Sequence, residues 1–338
     1  MAKTKVEKED SISEIESLHK EIEKLGGRVS QSIGDLAPSY FLNTGIFSLD
    51  KALSEKGGIP GNAVIELFGP AGIGKSSLSL HISAMAQKQD IKVFYINAER
   101  SINESITKCF TDLDVSKISW ITPETGENAI NIMTHILETQ QKCLIINDSI
   151  PACVPSITLE ASAEESQVGA LARLFSPFMP KAKKFCSLNN NILIQLNQER
   201  AKIGPMARGS SQPGGYALKF YCDIRIKIDK KYPSPEIKSG EDTIGHYIKA
   251  EIVKNRCGVP YKEAIIPLVY GKGIDLEREM VEYAIMFSII KKSGAWFVLY
   301  DEDKEINKSQ GIEKMANFIR EDRKARSLVE SKLKEIMS

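Results

Sequence analysis

Apolar residues along the chain fall into two kinds of run. Four short runs, VIELF (64–68), VFYIN (93–97), CLIIN (143–147) and ILIQL (192–196), are apolar on both faces. Strands buried on both sides of a parallel sheet read this way. Helix-like stretches follow near residues 75–89, 102–112, 126–140 and 168–189. The alternation predicts an α/β protein with a central, mostly parallel sheet covered by helices. Pro177 and Pro180 interrupt the last stretch. Ser176 and Pro177 fit a fresh N-cap and first turn, so a break or kink is expected there.

Two further patterns lie outside this region. Residues 11–25 carry Ile12, Ile15, Leu18, Ile22 and Leu25 at steps of three or four, which makes one apolar stripe on a helix. Ser11 with Glu14 fits a capping box, and Gly26-Gly27 a stop. An isolated helix of this length is marginal in water, so it must pack, either on its own core or on a neighbouring subunit. After about residue 273, segments rich in Lys, Arg and Glu surround one apolar run, AWFVLY (295–300), which reads as a small α/β appendage.

Composition narrows the picture. The chain has 338 residues, 42% hydrophobic and 26% charged, as in ordinary globular proteins. Its net charge is +1, so any site for a polyanion must be local. The cysteines Cys109, Cys143, Cys153, Cys186, Cys222 and Cys257 are scattered with no CxxC pair, which argues against a zinc site or a disulfide framework. The charged N-terminal stretch lacks a signal core, and no apolar run approaches the roughly 18 residues of a membrane span. A cytoplasmic protein without membrane contact is expected.

Candidate chemistry begins at GPAGIGKS (69–76), which matches G-x-x-x-x-G-K-[ST] between a strand and a helix. Backbone N–H groups from Gly69, Pro70, Ala71, Gly72, Ile73, Gly74, Lys75, Ser76 and Ser77 surround a polyphosphate in such a loop, except at proline, which has none. Lys75 reaches the terminal phosphates and the Ser76 hydroxyl binds Mg²⁺. Asp148 closes the strand CLIIND and suits the second Mg²⁺ partner, although an Asp there also caps turns. Glu99 follows VFYIN; it can position a water for attack, or pair with Arg100 on the surface. Gln198 ends ILIQLNQ, where an amide can sense the γ-phosphate or make a simple strand-end hydrogen bond.

The stretch ERAKIGPMARGSSQPGG (199–215) is long, irregular and basic through Arg200, Lys202 and Arg208. It is either a flexible surface loop or a polyanion-binding segment beside the nucleotide sensor. Residues 155–167 are acidic and argue against DNA contact except near Arg173.

Taken together, these residues resemble the RecA recombinases over roughly residues 40–300. The supporting stretches include TGIFSLDKAL (44–53), INAER (96–100), IINDSIPACVP (145–155), LNQERAKIG (196–204), GGYALKFYCDIRI (214–226), IVKNRCGVPY (252–261) and VYGKGI (269–274). The resemblance implies an ATP-dependent protein that polymerises on single-stranded DNA as a helical filament of its own copies and pairs it with homologous duplex. ATP and Mg²⁺ would be the cofactors. It implies that Asp148 holds the metal through water, that Glu99 activates the attacking water, and that Gln198 links the γ-phosphate to the DNA loop. Lys254 and Arg256 would reach the neighbour's γ-phosphate in trans, and Tyr270 and Gly271 would join the nucleotide site. The DNA-facing group would be Arg173, Arg200, Lys202, Ile203, Gly204, Gly214 and Gly215. Phe220 looks like a plug into the adjacent subunit, with Lys219 and Arg225 near it. The chain would divide into a polymerisation helix and linker (1–36), an ATPase core (37–273) and a small C-terminal domain (274–338). A RecA-fold ring ATPase without strand exchange is the alternative.

The sequence departs from the family's pattern at several points. The phosphate loop reads PAGI where bacterial members carry an acid and serines, and NAE (97–99) replaces DAE. Ile106 stands where an aromatic stacks on adenine, Ala207 replaces a loop aromatic, and Arg256 replaces a lysine. The strongly acidic C-terminal tail is missing.

Overall fold

A computed structural model describes residues 15, 17–26, 37–161, 169–201, 210–302 and 304–337. The chain divides into two units, Met1–Ser39 and Tyr40–Ser338. In the first, residues 17–24 are helical and Gly26 closes the turn at φ 83°, as the apolar stripe and glycine stop predict. Ser11 and Gly27 lie outside the described residues.

The second unit opens with a two-strand pair, β1 (Phe41–Leu42) and β2 (Ile59–Pro60), enclosing helix α1 (Phe47–Leu53). Then β3 (Val64–Gly69) leads into α2 (Lys75–Gln87), and β4 (Lys92–Asn97) leads to the edge strand β5 (Ile118–Ile121). Helix α3 (Gly126–Thr139), β6 (Cys143–Asp148), α4 (Ala170–Asn189) and β7 (Ile192–Gln198) follow. A small hairpin, β8 (Arg200–Ala201) with β9 (Ser210–Ser211), precedes helix α5 (Gly215–Tyr221). The chain then builds β10 (Ile224–Lys230), β11 (Glu236–Ser239), β12 (Asp242–Asn255), β13 (Glu263–Val269) and β14 (Gly273–Ile274).

These strands form one mixed sheet in the order β14-β13-β12-β10-β3-β7-β6-β4-β5, with β11 paired to β12. From β10 to β5 all neighbours are parallel. From β10 outward through β12, β13 and β14 they are antiparallel. The expected α/β class and largely parallel sheet are present. Two-sided burial explains the four apolar runs: Leu144 and Ile146 face the core beneath α2, while Cys143 and Ile145 face the core beneath α3 and α4.

The stretch near 102–112 is less helical than its pattern predicts, with only Glu104–Thr107 forming α-helix. Asn103 caps it by accepting from Ile106 N–H. Helix α4 runs unbroken from Ala170 to Asn189 through Pro177 and Pro180, against the expected break. Its apolar face buries Phe175, Phe178, Met179, Ala182 and Cys186 against the sheet, and this burial outweighs the ladder bonds lost at two prolines. Ser176 Oγ donates to Ala172 O at 2.6 Å instead of capping a new helix.

Beyond β14, helix α6 (Leu276–Met286) leads to a three-stranded antiparallel sheet of β15 (Ile290–Ser293), β16 (Trp296–Asp301) and β17 (Lys304–Gln310). Helices α7 (Ile312–Glu321) and α8 (Arg323–Met337) complete this region. It has its own apolar cluster, including Val281, Leu299, Met315, Ile319, Val329 and Leu333. Among the described residues no helix is long and apolar enough to cross a membrane. All six cysteines are free thiols.

Candidate functional site

The carboxyl ends of β3, β4, β6 and β7 converge on one end of the sheet, the position where parallel sheets hold ligands. The phosphate loop leaves β3 at Gly69. A Cβ there would lie 2.0 Å from the Ile228 carbonyl oxygen, so only glycine fits between β3 and β10. Gly74 turns at φ 103° and delivers Lys75 into the first turn of α2. The Lys75 ammonium is buried and donates to the carbonyls of Gly69 (3.0 Å) and Pro70 (2.6 Å). Burial pulls its pKa down, and the carboxylates of Asp148 and Glu99 pull it back up.

Asp148, at the end of β6, is 1% exposed. Its Oδ2 accepts from the Tyr95 hydroxyl at 2.8 Å, and its carboxylate accepts from the Ser76 side chain. Burial raises its pKa, while these two donors lower it. Ser79 Oγ lies 3.0 Å from the Tyr95 hydroxyl and extends the chain of contacts into α2. Glu99 is held from two sides: its N–H donates to Asp148 O (2.8 Å), and its Oε2 accepts from Ser149 Oγ (2.9 Å). Its carboxylate stays exposed to solvent beside the phosphate loop. Gln198 pairs in register with Gly69, the first residue of that loop.

The glycine-lined turn, the buried ammonium and the Ser76–Asp148 oxygen pair fit a polyphosphate with a hard divalent cation, because such cations take oxygen ligands. Tyr270 follows β13 and joins the same end. Its hydroxyl lies 3.2 Å from His246 Nδ1, and His246 Nε2 lies 3.2 Å from the Ile73 carbonyl oxygen within the phosphate loop. Since a carbonyl only accepts, Nε2 carries the proton in this contact. Gly271, next in line, has φ 73°.

A second group occupies the opposite end of the sheet. Strand β12 runs antiparallel to β10, so Lys254 pairs with Arg225, and Arg225 with Glu66, near the start of β3. Lys254 Nζ donates to the carbonyls of Lys219 (2.8 Å) and Phe220 (2.9 Å), and Arg256 Nη2 donates to Phe220 O (3.1 Å). These cations close the C-terminus of α5, where the helix dipole favours them. Lys254 is partly desolvated, which lowers its pKa, and Arg256 beside it acts the same way. Arg256 also lies 5.8 Å from the centre of the Phe220 ring. That ring is 65% exposed and Tyr216 is 87% exposed. The structure thus brings Lys219, Phe220, Lys254 and Arg256 together, and sets them apart from the phosphate loop of their own chain.

Arg225 belongs to neither cluster. Its Nε lies 2.5 Å from Oε2 of the fully buried Glu66, and its Nη2 donates to Gln212 Oε1 at 2.7 Å. Asn197 Nδ2 donates to Glu66 Oε1 (2.8 Å) and to Pro213 O (3.0 Å). This buried network ties β3, β7 and β10 to the segment that follows β9. Gly214 and Gly215 open α5, and a Cβ on Gly215 would meet Ala172 Cβ at 2.9 Å, so α5 sits close on the first turn of α4. Arg173 is exposed on that turn. Lys202, Ile203 and Gly204 lie outside the described residues, as does Ala207, and Arg200 is described by its backbone alone.

Comparison with known proteins was made on the whole chain. Residues 9–275 match the family model of the RecA N-terminal domain. The chain belongs to the RecA family. It is 34% identical to Protein RecA of Clostridium acetobutylicum over 330 residues, covering 96% of this chain and 92% of that protein. It is 35% identical to Protein RecA of Sulfurimonas denitrificans over 323 residues (94% and 91%). With Protein RecA of Chlorobaculum tepidum the identity is 33% over 327 residues (96% and 91%).

Three members of this RecA-family site are absent from the sequence reading. Tyr95 gives no sign in VFYIN, because a tyrosine in an apolar run reads as core. His246 is one histidine among four, in a strand that joins the phosphate loop only through the fold. Glu66 is a single acid inside VIELF, and its burial beside Arg225 was the available signal: an acid in an otherwise apolar strand needs a partner.

Proposed function

We propose that this RecA-family protein is an ATP-driven recombinase. It forms a helical filament on single-stranded DNA, hydrolyses ATP at sites between successive subunits, and exchanges strands with homologous duplex. The observation that carries this reading is the split of the candidate residues between two ends of one sheet. Lys75, Ser76, Glu99 and Asp148 stand at one end; Lys254 and Arg256 stand at the other. A site divided in this way is completed by a second copy docked head to tail, and such a contact repeats into a polymer.

In this reading ATP supplies the phosphoryl group and Mg²⁺ the charge that offsets its oxygens. Lys75 binds the terminal phosphates, Ser76 and Asp148 hold the metal, and Glu99 orients the water for attack. Gln198, paired with Gly69, reads the γ-phosphate. Asn197 and Arg225 relay its position to Pro213 and Gln212, at the edge of the basic segment that meets DNA together with Arg173. The neighbour's Lys254 and Arg256 stabilise the transition state in trans, as cations do in an arginine finger.

The test is phosphate release with and without single-stranded DNA, alongside electron microscopy with a non-hydrolysable ATP analogue. Slow turnover that rises with DNA, together with striated filaments, is expected. DNA-independent turnover, or closed rings in place of filaments, would sink the proposal.

A further inference from the structure

Among the described residues, one buried side-chain polar atom lacks a hydrogen-bond partner, and it is Oδ1 of Asn97. Asn97 is the last residue of β4 and pairs in register with Asp148 at the end of β6. Alternate residues of a strand point to one face. On β4, Val93 and Tyr95 belong to the core beneath α2, whereas Ile96 belongs to the core on the other face. Asn97 therefore shares the face of Tyr95. On β6, Leu144 and Ile146 place Asp148 on that face too. The amide and the carboxylate thus end neighbouring parallel strands side by side, where Ser76 and Lys75 approach.

The direction of the amide follows from its other end. Nδ2 faces the carbonyl of Ile102 at 3.5 Å, so turning the group over would set two oxygens against each other. The exposed half of the problem is then an acceptor with nothing to accept. Buried acceptors are rarely left so, and each exception calls for a partner that the protein does not itself supply. The partner must be a donor, and it must fit beside a carboxylate that is already held by Tyr95 and Ser76.

A Mg²⁺ bound through one or two carboxylates keeps several of its waters, and each such water is a hydrogen-bond donor. We propose that Asn97 is a further residue of the magnesium–nucleotide site, where Oδ1 accepts from a water in the coordination shell of the metal. Asn97 holds that water without adding a negative charge next to Asp148. The inference rests on the nucleotide-binding part of the reading above.

The experiment measures equilibrium binding of a mant-labelled, non-hydrolysable ATP analogue to the full chain over a series of free Mg²⁺ concentrations and in EDTA. Asn97→Leu weakens Mg²⁺-dependent binding about three- to tenfold, the worth of one hydrogen bond. It leaves binding in EDTA unchanged. It also leaves the melting temperature of the unliganded protein no lower, because the oxygen removed made no bond there. Asn97→Asp places a second carboxylate beside the first and moves the Mg²⁺ midpoint to lower concentration. Two results overturn the inference: an Asn97→Leu protein that matches wild type at every Mg²⁺ concentration, or one that loses as much affinity in EDTA as in Mg²⁺. Wild type that binds no nucleotide overturns both this inference and the ATPase reading, whereas normal wild-type binding with unaffected variants overturns this inference alone.

Discussion

Mixing two inactive variants separates a shared site from a self-contained one. Glu99→Gln damages the phosphate-loop end of a subunit and leaves Lys254 and Arg256 whole. The double variant Lys254→Ala/Arg256→Ala damages only the far end. The structure sets how far apart these ends are. Lys254 pairs with Arg225, which pairs with Glu66, three residues before Gly69. At about 3.3 Å per residue this is about 10 Å along β3, before the phosphate loop projects further in the same direction. Lys254 is moreover turned to the carbonyls of Lys219 and Phe220, at its own end. At that separation surface charges are largely screened, so neither cation serves its own chain's phosphates. Each variant alone should lose roughly 10²-fold or more of its DNA-stimulated turnover, through loss of the general base or of the trans cations. In an equimolar mixture of randomly ordered subunits, about a quarter of the head-to-tail contacts join an intact phosphate-loop end to an intact basic end. Phosphate release should therefore recover to about a quarter of the wild-type rate at the same total protein. A mixture no more active than its components, in filaments shown to contain both, would refute the argument.

Two other outcomes follow from buried charge. Arg225→Ala leaves Glu66 fully buried without its cation and should destabilise the fold by about 3–5 kcal/mol in urea titrations; Glu66→Gln/Arg225→Met should recover most of that loss. Glu279 is buried under α1, accepting from the N–H groups of Phe47 and Ser48, and burial raises its pKa from 4.5 to about 7. Between those values the folded chain keeps a proton that the unfolded chain has released, so stability falls as pH rises from about 4.5 to 7 and levels off above. The fall is up to roughly 3 kcal/mol from this group, and Glu279→Gln should flatten the slope seen by urea titration across that range.

Much of this protein was legible before any coordinates. The runs 64–68, 93–97, 143–147 and 192–196 became β3, β4, β6 and β7, because burial on both faces leaves a continuous apolar stretch in the chain. The phosphate loop was legible because glycine, lysine and serine at that spacing serve few purposes other than wrapping a polyanion. The reading went astray where tertiary burial outweighs local preference. Helix α4 passes through two prolines because its apolar face is buried along its length, and residues near 102–112 form little helix despite their pattern. Arg225 was grouped with Phe220 by closeness in sequence, yet alternation along β10 turns it onto Glu66.

What the sequence determined by itself is therefore local: which segments are strands, where the phosphate loop turns, and which residue types are able to hold a triphosphate. Only the tertiary structure decided which of them meet. The reversal of direction between β10 and β12 carries Lys254 and Arg256 away from Lys75, and the pairing of β4 with β6 sets Asn97 beside Asp148. Strand periodicity records which face a residue occupies, but not the order or direction of the strands it will lie between, and those are settled by pairing between segments far apart in the chain.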